Sequence, residues 1–353
     1  MNQTTPAVEH LREIFSALGF VTSCPRMTPV LERAYKAARV SDATVLVQGE
    51  TGTGKQVLAR AIHRLDGKRG PFPFVTVSCS TINEELAESE LFGHQRGSFS
   101  GAVNQRAGLF QAAGRGTIFL DDVNDLPLSL QPKLLDVLQR GVVRPVGSDA
   151  ETPVHMRVIA AANQALEPLV EQGRFRSDLY HRLNVIRVIL PPLRERGEDL
   201  PVLLLEFARR HASLHQQIES LEQDLVRHLE TCRLAGNVRE LENAVQRMLF
   251  LKREGTSLTR ADWLEQEGDV STDASKRNGI SDAADILWSA MLEMDLPFRA
   301  IIKRIENELL NKAVQTTGKT RRELARLLQT SERTLYHKMH AQKKEQEQER
   351  ADS

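Results

Sequence analysis

The residues with the most distinct chemistry lie at Gly49, Glu50, Thr51, Gly52, Thr53, Gly54 and Lys55, which read G-x-x-x-x-G-K. Glycines at these positions let the backbone bend so that successive N–H groups point at one anion. Lys55 adds a compact positive charge for terminal phosphates. The residue after the lysine, where this motif wants a hydroxyl for Mg²⁺, is Gln56. A second constellation is Asp121-Asp122, which closes the apolar run at residues 117–120. An acidic pair there forms the other half of a nucleotide site, with Asp121 holding Mg²⁺ directly or through water and Asp122 orienting an attacking water. A turn or helix cap is the alternative, since Asp125-Leu126-Pro127 follows.

These residues need a strand before the loop, a helix after it and a buried strand before the acidic pair. Residues 44–47 form an apolar, β-prone run, and Val57, Leu58, Ala61, Ile62 and Leu65 then recur at helical spacing. The helix directs its positive N-terminal end at the same anion. A helix is expected from Thr28 as cap and Pro29 to about Arg39, and a second buried strand over residues 72–79. Helices are expected over residues 84–92 and 130–138, the latter stopping near Gly141, with further strands over 156–162 and 185–190. Strands alternating with helices predict an α/β fold with a parallel sheet covered on both faces. From residue 199 to about 264 the pattern turns all-helical, and residues 266–282 read as a linker rich in Asp, Ser, Thr, Gly and Lys. The divisions are a short N-terminal segment 1–19, an α/β body 20–197, a helical unit 198–265, the linker, a helical domain 283–345 and a polar tail 346–353.

With 353 residues the chain can hold two or three domains. Its net charge is zero, so any nucleic-acid binding needs a local basic patch. Cys24, Cys79 and Cys232 are too scattered for a disulfide framework or zinc site, which fits a reducing cytoplasm. The polar N-terminus and the lack of an apolar run of about eighteen residues argue against secretion or a membrane partner.

One segment has neither helical nor strand period: Gly97, Ser98, Phe99, Ser100, Gly101 and Ala102. It reads as a loop of small residues around one phenylalanine. Together with residues 90–94, 175–184, 193–196 and 236–241, it resembles the sigma-54-dependent, NtrC-type transcription activators of bacteria. The resemblance runs from about residue 20 to 342 and implies an AAA+ ATPase domain with a helical lid and a Fis-type helix-turn-helix, in the short architecture without a receiver domain. It implies ATP and Mg²⁺ as cofactors. Residues 97–102 would contact sigma-54 RNA polymerase, and the chains would form a ring, expected to be hexameric. It makes Asn163 the polar sensor of the γ-phosphate, Arg176 and Arg182 the arginines that enter a neighbour's site, and Arg239 the second sensor in the lid. An arginine supplied across a subunit boundary stabilises charge on the transferring phosphoryl group.

The chain also departs from the family. Asp122 replaces Glu, and a shorter carboxylate places the attacking water differently. Ser78 stands for Asn, Gln95 for Glu, Asp136 for Arg, Ala235 for Pro and Gln56 for Glu. Two readings follow: an ATP-driven remodeller of sigma-54 polymerase, or a DNA-binding regulator that binds ATP and scarcely hydrolyses it. A chaperone or helicase loader explains neither residues 97–102 nor the DNA end.

At that end, residues 321–328 and 332–340 fit two helices joined by a short turn, with Ser331 as cap. Leu324, Leu327, Leu328, Leu335 and Met339 would make the small core, leaving Arg333, Thr334, His337 and Lys338 outward. Lys319, Arg321, Arg322, Arg326, Lys343 and Lys344 add to a basic stretch opposed only by Glu323 and Glu332. Such a local excess is the footprint of a double-stranded DNA binder, although a solvated charged helix has the same composition. Ile301, Ile302, Ile305, Leu309 and Ala313 would pair two chains as a dimer. DNA binding should therefore fall steeply with salt. By fluorescence anisotropy, Arg333→Ala and His337→Ala should blur sequence preference, whereas Lys344→Ala should weaken specific and random DNA alike.

Overall fold

The computed structural model describes residues 7–81, 84–98, 104–211, 218–252 and 255–264. The expected linker, the helix-turn-helix and Phe99, Ser100, Gly101 and Ala102 lie outside the described residues.

The body is a five-stranded, all-parallel sheet: β1 Val45–Gln48, β2 Phe74–Ser78, β3 Thr117–Asp121, β4 Arg157–Ala162 and β5 Ile186–Ile189. Their order is β2-β3-β4-β1-β5. The central strands are apolar because helices cover both faces: every residue of β1 and β4 is buried. On one face lie α1 Val8–Ala17, α2 Thr28–Ala38 and α3 Lys55–Leu65, whose Phe15, Leu31, Leu58 and Ile62 share a core with Val45, Phe119 and Ile159. On the other lie α4 Glu84–Phe92, α5 Gln131–Arg140 and α6 Ser177–Leu183, packed around Leu46, Ile118, Leu120 and Ala160.

Two expectations need correction. The strand expected over residues 72–79 as buried is an edge strand, with Val77 its only buried residue. Its β-branched composition does not distinguish edge from centre, because that depends on which strand pairs beside it. Thr28 is not a cap: a 3₁₀ turn, Pro25–Met27, runs straight into α2. Gly141 does end α5, in the left-handed conformation at φ 64°.

A small helical unit follows: α7 Asp199–His211, α8 Gln223–Thr231 and α9 Asn237–Leu251. Leu204, Phe207, Leu225, Leu241, Val245 and Trp263 form its own core. Asp199 joins it to the body, accepting hydrogen bonds from the Thr22 hydroxyl and the backbone N–H groups of Ser23 and Cys24 at 2.7–2.9 Å. No helix among the described residues is long and apolar enough to cross a membrane.

At the sheet end away from the phosphate loop, Arg157 and Asp66 form a fully buried ion pair at 2.9 Å. Asp66 also accepts from the Ser41 hydroxyl and the N–H groups of Lys68 and Arg69, while Arg157 reaches the Ala37 carbonyl. Burial pulls the Arg157 pKa down and Asp66 opposes that. Removing one partner strands the other charge, so Asp66→Ala should lower the unfolding free energy in urea by about 3–5 kcal/mol. The exposed Lys68–Asp42 pair should be worth less than about 1 kcal/mol in the same measurement.

Candidate functional site

The phosphate loop leaves the carboxyl end of β1 and enters α3, as the glycine spacing requires. Gly52 sits at φ 80° and Gly54 at φ 101°, the left-handed region that glycine enters without strain. Gly52 is also packed too closely for a side chain: a Cβ would lie 2.1 Å from the Gly236 carbonyl oxygen. Among the described residues, the backbone amides of Thr51, Gly52 and Gly54 have no acceptor, so they are free to bind an anion. Lys55 is 7% exposed and its ammonium donates to the carbonyls of Gly49 and Glu50 at 2.8 and 3.2 Å. Burial pulls its pKa down, the charges of Asp122 and Asp121 oppose that, and Arg239 adds to the lowering.

β3 carries Asp121 and Asp122 to the same end of the sheet. The Asp121 pKa is raised, first by burial and then by Asp122, against the pull of Lys55 and Arg239. Asp122 sits at φ 51°, a left-handed conformation unusual outside glycine that turns the chain sharply after the strand. The Asn163 amide donates to Asp122 Oδ1 at 3.2 Å. Ser78 pairs with Asp121 in the sheet register, but its hydroxyl lies 3.2 Å from the Ser80 hydroxyl.

Thr51, Gly52, Gly54, Lys55, Gln56, Asp121, Asp122 and Arg239 all line one cleft of about 240 Å³, closed on its far side by Val238 and Glu242 of α9. A smaller recess of about 70 Å³ adjoins it, with Phe20, Val21, Val57, Leu203, Phe207 and Val238 on its lining beside Arg196, Glu206, Arg210 and Glu242. The residues fit Mg²⁺ bound with phosphates, because that ion takes one or two carboxylates and completes its shell with phosphate oxygens and water. Asp121 would be the carboxylate, and Gln56 brings an amide oxygen where the motif has a hydroxyl.

Other expected residues stand apart from this cleft. Arg176 pairs with Asp178 through two contacts, at 3.1 and 2.7 Å. Arg182 donates twice to the Leu138 carbonyl, at 3.1 and 2.7 Å. Neither lines the cleft of its own chain. Gly97 is at φ 80° and Ser98 lies against Gly147, where a Cβ would come within 2.6 Å of Ser98 Cβ. Gln95 donates to the Ser148 hydroxyl at 3.1 Å, and Asp136 pairs with Arg140 at 3.4 Å.

Sequence reasoning passed over Asn237, Glu242, Arg194 and the apolar recess. Asn237 lies inside a motif already noted; the sign in the sequence was an asparagine directly after Gly236, and only the structure shows its left-handed φ of 54°. The recess is assembled from four distant stretches of chain, and no local pattern announces it.

Comparison with known proteins agrees with this geometry. The Sigma-54 interaction domain profile matches residues 20–189, and that of the AAA+ ATPase lid domain matches residues 194–278. The transcriptional regulatory protein GlrR of Escherichia coli K12 is 37% identical over 334 residues, covering 94% of this chain and 71% of GlrR. The chain belongs to the family of transcriptional regulators built on a sigma-54 interaction domain. Its body and lid are an AAA+ ATPase domain. The DNA-binding transcriptional activator HyfR, also of E. coli K12, is 49% identical over 219 residues, covering 62% of this chain but only 32% of HyfR. Among solved structures, NtrX from Brucella abortus in complex with ATP superposes with a TM-score of 0.64 at 28% identity, over 91% of this chain and 68% of that one.

Lys55→Ala removes the one lysine in the cleft. Calorimetry should show ATP binding lost, while circular dichroism remains that of the parent protein.

Proposed function

We propose that this protein is an ATP-driven activator of sigma-54-dependent transcription. It binds upstream double-stranded DNA through its C-terminal region, assembles into a homo-oligomeric ring in the cytoplasm and remodels sigma-54 RNA polymerase. The observation that carries this reading is the convergence of Lys55, Asp121, Asp122 and the lid residue Arg239 on one cleft. Charge from the sheet and charge from the lid meet there, so phosphate hydrolysis and lid position would be linked. The likeness to NtrX, solved with ATP, supports ATP as the ligand. Asp121 would hold Mg²⁺ there, and the ion would supply positive charge against that of the phosphates.

Each residue then has a role. Lys55 and the free loop amides bind the terminal phosphates, and Asp121 holds the metal. Asp122 orients water, with Asn163 fixing its carboxylate. Arg176 and Arg182, absent from their own cleft, would leave Asp178 and Leu138 to enter the neighbour's. Gly97–Ala102 would present Phe99 to sigma-54, since a phenylalanine among small residues marks a contact surface.

One observation favours the second reading, an ATP-binding regulator with little hydrolysis. The Ser78 hydroxyl turns to Ser80, leaving Asp122, already a methylene short, to be oriented by Asn163. Steady-state turnover on concentrated protein separates the two: background turnover with intact ATP binding selects the second.

Phe99→Ala should leave ATP binding and ring assembly near those of the parent. It should abolish capture of sigma-54 with an ATP transition-state analogue, and promoter opening with it. A Phe99→Ala protein that still captures sigma-54 and activates transcription overturns the remodelling proposal.

A further inference from the structure

Amides can face an anion only if the carbonyls between them are satisfied elsewhere. In this loop, all five carbonyls from residue 49 to 53 have donors. Lys55 takes those of Gly49 and Glu50. The next three are held from the lid and the chain leading to it: Thr51 by Asn237 Nδ2 at 3.0 Å, Gly52 by the Arg239 N–H at 3.3 Å and Thr53 by Arg196 Nη2 at 2.8 Å.

Asn237 is the hub of this arrangement. It is 1% exposed. Its Oδ1 accepts the Leu193 N–H at 2.8 Å, which fixes which end of the amide is oxygen. Its Nδ2 then faces three acceptors: the carbonyls of Thr51 and Ala235 and, at 3.2 Å, the Glu50 carboxylate. Arg194 closes the circuit with a two-pronged contact to Glu50 at 2.8 and 2.7 Å. One side chain, on the first residue of α9, therefore touches the phosphate loop, the segment before α7 and the turn leading into its own helix. Its left-handed backbone, φ 54°, suits asparagine or glycine and penalises other residues.

We propose that Asn237 is the positioning residue that couples lid position to nucleotide occupancy. This rests on the reading of the cleft as an ATP site. When phosphate binds, Lys55 would turn toward it, and the Glu50 carbonyl would keep the Thr53 N–H and hydroxyl as donors. The grip on Thr51, Gly52 and Thr53 keeps the amides aimed while that happens. Because the same bonds hold the lid helix, nucleotide that orders the loop also orders α9. By reciprocity, a loosened lid weakens nucleotide binding by the same factor.

Asn237→Gly tests this, since glycine keeps the left-handed backbone and removes both polar atoms. Binding of ADP by calorimetry should weaken about tenfold, the loss expected when a buried hydrogen-bond hub is deleted. Asn237→Asp should weaken it further, because it sets a carboxylate against the Thr51 carbonyl and Glu50. Hydrogen exchange supplies a readout that loss of stability alone would not move. In the parent chain, ADP should protect both the loop and α9; in Asn237→Gly, protection should be confined to the loop. Arg194→Ala, whose side chain is 62% exposed, carries the same exchange test should the buried substitution prevent folding. ADP affinity and joint protection unchanged from the parent overturn the inference. Lys55→Ala separates the two levels. If it loses ADP while Asn237→Gly keeps affinity and joint protection, the coupling alone is wrong; if Lys55→Ala still binds ADP normally, the ATP-site reading falls with it.

Discussion

Five carbonyl groups constrain this molecule. A loop that turns its amides toward an anion turns its carbonyls away, and there each must find a donor or bear the cost of burial unpaired. Here the donors are Lys55, Asn237, the Arg239 amide and Arg196. Three of the four come from beyond residue 190, so the phosphate loop near the start of the body is completed by the chain's passage into the lid. Gly52 fits the same constraint, because the Gly236 carbonyl occupies the space a side chain would need. The loop and lid therefore behave as parts of one site, although well over a hundred residues separate them in sequence.

The sheet makes that meeting possible. Its five parallel strands deliver their carboxyl ends to one edge, where the loop after β1, the acidic pair after β3 and Asn163 after β4 lie side by side. The opposite edge is stabilised differently. There Asp66 and Arg157 are buried together and fully engaged, pinning the end of α3 to the start of β4. Charge at the first edge is only partly satisfied: Asp121 is pushed toward its neutral form, with Lys55 as its main opposing charge, and Lys55 is pushed toward its own, relieved first by Asp122 and then by Asp121.

Four of the departures from the family pattern, at Asp122, Ser78, Asp136 and Gln95, meet polar partners in the folded chain. Asp122 is shorter, Ser78 looks to Ser80, Asp136 joins Arg140, and Gln95 bonds Ser148 beside Gly147. Each has found a local partner, so none is a stranded polar group.

Much of this was legible from local pattern. The glycine spacing and the period-3.6 run after Lys55 were sufficient to place loop and helix, because backbone conformation there depends on residues only a few positions apart. The acidic pair could be read for the same reason: the apolar run at residues 117–120 is local, and the strand it forms closes on Asp121. The edge position of β2 was not legible, since strand order is decided by long-range pairing and its composition resembles that of a central strand. Nor was the apolar recess, gathered from four separate stretches. Asn237 shows the boundary most clearly. Its motif stood in the sequence, but its function as a donor to Thr51, 186 positions away in the chain, exists only once the lid has folded onto the loop.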